Sequence, residues 1–159
     1  MEVNLLGTTW GTRAALAAFG AAGGDVVNVA SLSGLGPVPG YSMYAATKAA
    51  VVSLSTSVNA EAPRGVRVHA LCPDGVDTAM LAAQDPDGLG SQLTWSGGPI
   101  LSVGEVAEAA VALVGSRRVV RTVPGWRGGV VRGAALAPGT IQYAARLFAA
   151  QGRRAMRRR

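Results

Sequence analysis

Apolar residues recur at helical spacing over residues 3–22, with Leu6, Trp10, Ala14, Leu16 and Phe19 near one face. Gly23-Gly24-Asp25 interrupts that pattern. The β-branched run that follows predicts a buried strand over 25–30. Residues 32–42 hold Gly34, Gly36, Pro37 and Pro39 and predict a loop. An Ala-rich stretch free of Gly and Pro predicts a helix over 43–62, stopped by Pro63. Val66 to Cys72 reads as a second strand, Pro73-Asp74-Gly75 as a turn, and Thr78 as the start of a short helix. Residues 84–101 are turn-rich and read as a mobile loop. A helix is predicted over 103–114, with Val106, Ala110 and Leu113 on one face and Glu105 in the first turn, where the helix dipole favours an acid. Arg118 to Val123 reads as a third strand. A last helix is predicted from about Pro138 to Gln151, followed by Gly152 and an arginine tail.

Helices alternating with strands are the pattern of parallel βαβ units. The predicted fold class is therefore α/β, a doubly wound parallel sheet of about three strands with flanking helices; the resemblance given below implies that it is a partial, Rossmann-like one. Residues 1–137 form its body and 138–159 a basic helix and tail. Three parallel strands are few, because parallel sheets bury both faces and need covered edges.

Composition narrows the classes. The 159 residues are 49% hydrophobic and 5% aromatic, enough for one domain with a core of small side chains. A single cysteine, Cys72, excludes an intramolecular disulfide. One cysteine and one histidine are too few for a zinc-type cluster. His69, mid-strand, reads as a packed residue, and Cys72 as a small buried filler. The start lacks a basic leader and a long apolar stretch, so a cytoplasmic location is expected. The net charge of +6 divides into about −5 over residues 1–110 and +11 over 111–159. The body has no basic groove, so no nucleic-acid partner is expected. The terminal arginines, behind Ile141, Tyr143, Leu147 and Phe148, leave a weak expectation of peripheral membrane contact.

The only lysine, Lys48, lies four residues after Tyr44, on one helix face. A cation beside a phenol lowers its pKa from about 10 toward the range useful for proton transfer. Ser31 ends the first strand, where active residues of open α/β sheets gather, and a loop from it could bring its hydroxyl to that phenol. Ser31, Tyr44 and Lys48 together could polarise and protonate a carbonyl.

At these residues the sequence resembles the short-chain dehydrogenase/reductase family. Asn28-Val29-Ala30-Ser31-Leu32-Ser33-Gly34 resembles the strand with its catalytic serine. Tyr44-Ala45-Ala46-Thr47-Lys48 resembles the Tyr-x-x-x-Lys helix, and Pro73-Asp74-Gly75-Val76-Asp77-Thr78 the turn beside the nicotinamide. Asn4 resembles the helix asparagine of the catalytic tetrad. The resemblance implies an oxidoreductase using NAD or NADP on an alcohol or ketone. In it Tyr44 is the general acid/base, and Lys48 tunes Tyr44 and binds the nicotinamide ribose. Ser31 holds the substrate oxygen and Asn4 supports a water relay to Lys48. Pro73, Gly75, Val76 and Thr78 line the nicotinamide side. Asp74 departs from the usual glycine, and Gly75 is expected to supply the lost flexibility. Met80, Leu93 and Trp95 fall where relatives carry a substrate lid, favouring a small apolar substrate.

The glycine-rich turn that receives a pyrophosphate has no counterpart in the sequence: Gly34-Leu35-Gly36-Pro37 leads into prolines rather than a helix. The resemblance thus implies a C-terminal catalytic half, with the N-terminal cofactor-binding half absent and activity of these 159 residues in doubt. The resemblance also implies a homo-oligomer through the helices at 3–22 and 43–62. The alternative is a non-catalytic remnant that associates with a complete partner or peripherally with membrane.

Overall fold

The computed structural model describes residues 2–158. Three strands, β1 (Gly24–Val29), β2 (Val66–Pro73) and β3 (Val120–Val123), form one parallel sheet in the order β1-β2-β3. The register pairs Gly24 with Val66 and Val29 with Leu71, then Ala70 with Val120 and Pro73 with Val123. Seven α-helices surround it: α1 (Gly7–Phe19), α2 (Ser42–Glu61), α3 (Ala79–Ala82), α4 (Leu89–Trp95), α5 (Val103–Val111), α6 (Gly125–Leu136) and α7 (Ile141–Met156).

Helices cover both faces of the sheet, as a doubly wound fold requires. On one face Val51 of α2 packs with Ala30, Leu32, Ala70 and Cys72, backed by Leu5 and Val120. On the other, Ala109 of α5 and the nearby Leu113 pack on Leu71, with Val27 and Val123 beside them. Small side chains do fill this core; among its buried members leucine is the largest. A polar chain crosses the α1–β1–α2 layer. Thr12 donates to Asn28 Oδ1 (3.2 Å), Asn28 Nδ2 donates to Ser55 Oγ (3.0 Å), and Ser55 donates to the Val51 carbonyl (2.7 Å). All three residues are buried, so each bond holds a group that water cannot reach.

The predicted helix over 3–22 is one helical run with three geometries. A π-helical turn (Glu2–Leu6) leads into α1, and a 3₁₀ turn (Gly20–Ala22) ends it. The helix predicted over 103–114 is α5 and stops at Val111. Its start is a capping box: Ser102 Oγ accepts from the Glu105 N–H, and Glu105 accepts from the Ser102 N–H at 2.7 Å.

Three expectations are corrected. Residues 84–101 are not a loop throughout, because they contain α4. That helix is held by tertiary packing: Gly152 of α7 lies so close to the Gln92 backbone that a β-carbon there would collide with it. Residues 125–136, assigned no element from sequence, form α6. Its glycines hid it by propensity, yet Gly128 lets α6 approach Thr122 of β3, where an added β-carbon would meet the Thr122 side chain within 2.6 Å. Finally, Gly152 does not end the last helix. α7 runs through it to Met156, and Arg153 donates to Gln92 Oε1 at 2.7 Å. Part of the expected tail is therefore a docked helix end. Arg159 lies outside the described residues. No helix among the described residues is long and apolar enough to cross a membrane.

The far end of the sheet is closed by charge. Asp25, first in the ladder after Gly24, takes both the Nε and an Nη of Arg67 at 2.7 Å. His69 Nε2 lies 2.9 Å from the same carboxylate, and the Gly115 N–H donates to it at 3.2 Å. His69 is thus a packed residue, as expected, with Nδ1 2.7 Å from the Arg118 carbonyl.

Candidate active site

Ser31 stands just past the carboxyl end of β1, with extended backbone, and its hydroxyl accepts from the Ser33 N–H at 3.2 Å. A 3₁₀ turn (Leu32–Gly34) then folds the chain onto α2. Gly34 is required there, because a β-carbon would come within 2.6 Å of the Lys48 carbonyl. That close approach brings the serine loop and the Tyr44–Lys48 turn of α2 together.

The structure brings Ser31 and Tyr44 together, and the Ser31 hydroxyl pulls the phenol's pKa downward. The net direction differs from expectation. Burial outweighs that pull and holds the Tyr44 phenol above its ordinary value. Lys48 is not what tunes it in this structure. The ammonium sits 5.8 Å from the Tyr44 ring centre and donates to the Val29 carbonyl at 2.9 Å. Burial lowers the Lys48 pKa, since desolvation disfavours the ammonium. Tyr41 packs edge-on against Tyr44, ring centres 6.0 Å apart, and its hydroxyl bonds Gln84 Oε1 at 2.5 Å.

Asn4 reaches α2 one residue short of Lys48. Its amide donates to Thr47 Oγ1 (3.3 Å), and Thr47 donates to the Tyr44 carbonyl (2.7 Å). The asparagine thereby braces the turn that carries the Tyr–Lys pair.

Pro73 ends β2, and Gly75, Val76 and Thr78 lie in the segment that follows it. Pro73 is buried, and Val76 forms a parallel bridge with Leu101. Thr78 does start a short helix: its hydroxyl caps α3 by accepting from the Leu81 N–H. The role expected of Gly75 is corrected. Its φ is not positive, and it is needed for closeness, since a β-carbon would meet Thr94 of α4 at 2.5 Å.

Sequence reasoning missed what Asp74 does. Its carboxylate pairs with Arg127 of α6 at 2.7 Å, both side chains being largely buried. The same guanidinium donates to the Leu93 carbonyl (2.7 Å) and to Ser96 Oγ (3.1 Å). One arginine thus ties the end of β2 to α4. Burial raises the Asp74 pKa, and Arg127 opposes that rise. Only the glycine-to-aspartate departure signalled this, and its partner lay in a helix that propensity concealed.

A parallel sheet wound on both faces, with a serine at a strand end and a Tyr-x-x-x-Lys turn against it, defines a Rossmann-like α/β protein. The short chain dehydrogenase family model matches residues 1–88, and the chain belongs to the short-chain dehydrogenase family. An uncharacterised oxidoreductase of Staphylococcus aureus (strain USA300) is 38% identical over 88 residues, covering 54% of this chain and 38% of that protein. The 3-beta-hydroxysteroid dehydrogenase of Comamonas testosteroni is 30% identical over 96 residues, 58% of this chain and 38% of that one. Among solved structures, a short-chain dehydrogenase from Burkholderia cenocepacia J2315 in complex with NADP superposes with a TM-score of 0.72 at 25% identity. It covers 91% of this chain and 56% of that one. The Sphingobium yanoikuyae short-chain dehydrogenase in complex with NADPH gives 0.65 at 28% identity, covering 87% and 54%. The chain spans 38% of the length of the curated relatives it matches.

Proposed function

We propose that these residues are the catalytic, C-terminal half of an oxidoreductase that interconverts an alcohol and a ketone with NAD or NADP. The observation that carries this reading is the Tyr44 phenol set beside the Ser31 hydroxyl at the end of a parallel sheet, with Lys48 one turn along, 5.8 Å from the ring centre. The NADP and NADPH complexes of the two similar structures support the cofactor.

The residues fit one end of such a cofactor. Lys48, half-buried beside Tyr44, offers donors to ribose hydroxyls, and the segment from Pro73 to Thr78 lies at the neighbouring strand end. A glycine-rich strand-to-helix turn for the pyrophosphate is not found among the described residues. When bound, the nicotinamide supplies or accepts the hydride.

This chain's own residues handle the proton. The Ser31 hydroxyl donates to the substrate oxygen and fixes it beside Tyr44. In reduction the Tyr44 hydroxyl gives its proton to that oxygen as it becomes an alkoxide; in oxidation the phenolate takes it back. An ammonium turned toward the phenol favours that phenolate.

The test is NAD(P)-dependent turnover of apolar secondary alcohols by the full protein. Tyr44→Phe is expected to lower kcat about 100-fold or more while leaving thermal stability near wild type. Equal turnover by wild type and variant would overturn the reading.

A further inference from the structure

Helix α7 is docked by one side and open on the other. Ala145, Ala149 and Gly152 are buried, and Gly152 sits against the Gln92 backbone of α4. At about 3.6 residues per turn these three share one side of the helix. The opposite side carries Tyr143 and Leu147, 64% and 76% exposed, with Arg154 two turns further along the same row. Arg146 and Arg157 border that row and are exposed as well. Arg153 is held by Gln92 on the docked side. Among the described residues no carboxylate pairs with Arg146, Arg154 or Arg157. Apolar surface continues past the row: Phe148, and Val130 of α6 across the cleft that both line, are each more than a third exposed.

We propose that this face of α7 seats on an anionic lipid surface, with Tyr143 and Leu147 below the headgroups and Arg146, Arg154 and Arg157 among the phosphates. Charge complementarity selects that occupant. Residues 111–159 carry eleven arginines and no acid. A second copy meeting this face with its own would bring the same positive charge. Nucleic acid offers phosphates but no apolar interior for Leu147. A lipid surface accepts both parts, the apolar side chains at the acyl boundary and the guanidiniums at the headgroups. The helix lies in the plane of that surface, since no helix among the described residues is long and apolar enough to cross it. α7 is already folded against α4, so seating it costs no helix nucleation. None of this rests on the reaction proposed above.

The experiment sediments the full 159-residue chain with vesicles of phosphatidylcholine alone and of phosphatidylcholine with phosphatidylglycerol. Binding to the mixed vesicles should be about 10-fold tighter or more, and should weaken several-fold as salt rises. The double change Tyr143→Asn and Leu147→Asn, which alters no charge, should weaken it by about 10-fold or more. The pair Arg154→Gln and Arg157→Gln should weaken it by about 10-fold. Thermal unfolding checks that each variant keeps its fold. If the double asparagine variant unfolds, Leu147→Asn alone serves, with a several-fold loss. Equal binding to both vesicle types, or no binding, overturns the proposal. Loss with the arginine pair but not with the asparagine variants means charge adsorption without a seated helix, and overturns it. Tighter binding to duplex DNA than to mixed vesicles does the same. Self-association without vesicles that the asparagine variants abolish makes a second copy the occupant, and also overturns it.

Discussion

Arg127→Met is expected to destabilise the protein by about 4 kcal/mol at pH 7, because removing one partner leaves a buried charge alone. Methionine keeps much of the apolar stem, so lost packing contributes little. What is left behind is the Asp74 carboxylate, shielded from water, and the Leu93 carbonyl and Ser96 hydroxyl without their donor. The pH dependence has a definite sign. Burial already raises the Asp74 pKa, and the loss of Arg127 raises it further. A carboxyl raised in the fold favours the folded state when protonated and opposes it as pH climbs above the ordinary value of 3.8. The gap between wild type and variant should therefore widen from pH 5 to pH 7. Urea unfolding at the two values measures it, and a gap that narrows would contradict the buried pair.

Asp25→Asn is the second large effect, with a loss of about 3 kcal/mol expected at neutral pH. The carboxylate accepts from Arg67, His69 and Gly115, and asparagine offers one neutral oxygen in place of two charged ones. Here the sign is opposite. The Arg67 guanidinium holds the Asp25 pKa far below the ordinary carboxylate value. Such a group stabilises the fold above its unfolded value of about 4 and loses that contribution as pH falls further. The gap between wild type and Asp25→Asn should be full at pH 6 and shrink from pH 4 downward. Thermal unfolding across that range reads it. The two carboxylates thus answer acid in opposite directions, one relieved by a proton and the other disarmed by it.

Much of this fold is legible in the order of elements. β1, α2, β2, α5 and β3 rest on patterns that sequence shows directly: β-branched runs, a proline stop, an acid at a helix start. α4 and α6 were not legible, because their glycines argue against helix when read locally. Gly90, Gly128 and Gly152 are there for contact: a β-carbon at each would strike the Tyr41 ring, the Thr122 side chain or the Gln92 backbone. Such contacts depend on residues tens of positions away. The site divides in the same way. Tyr44 and Lys48 share a helix face, and Ser31 follows from the strand end. The bond from Lys48 to Val29 was not legible, because it joins a helix side chain to a strand carbonyl and follows from no spacing. Nor was the Asp74–Arg127 pair, whose second member sits on the concealed α6.

Cys72 gives the molecule a further property. It is wholly buried in the middle strand, packed with Ala30, Val51 and Ala70, and burial pushes its thiol up to about 11. A thiol in that state does not react; the thiolate of an exposed cysteine does. With one cysteine in the chain, each modification event records one opening of the sheet. The protein therefore carries its own stopwatch. With thiol reagent in excess, so that reaction outpaces reclosing, the rate at which Cys72 is consumed counts how often the α2-covered face of the sheet opens, and weakening Asp25 should make that clock run faster.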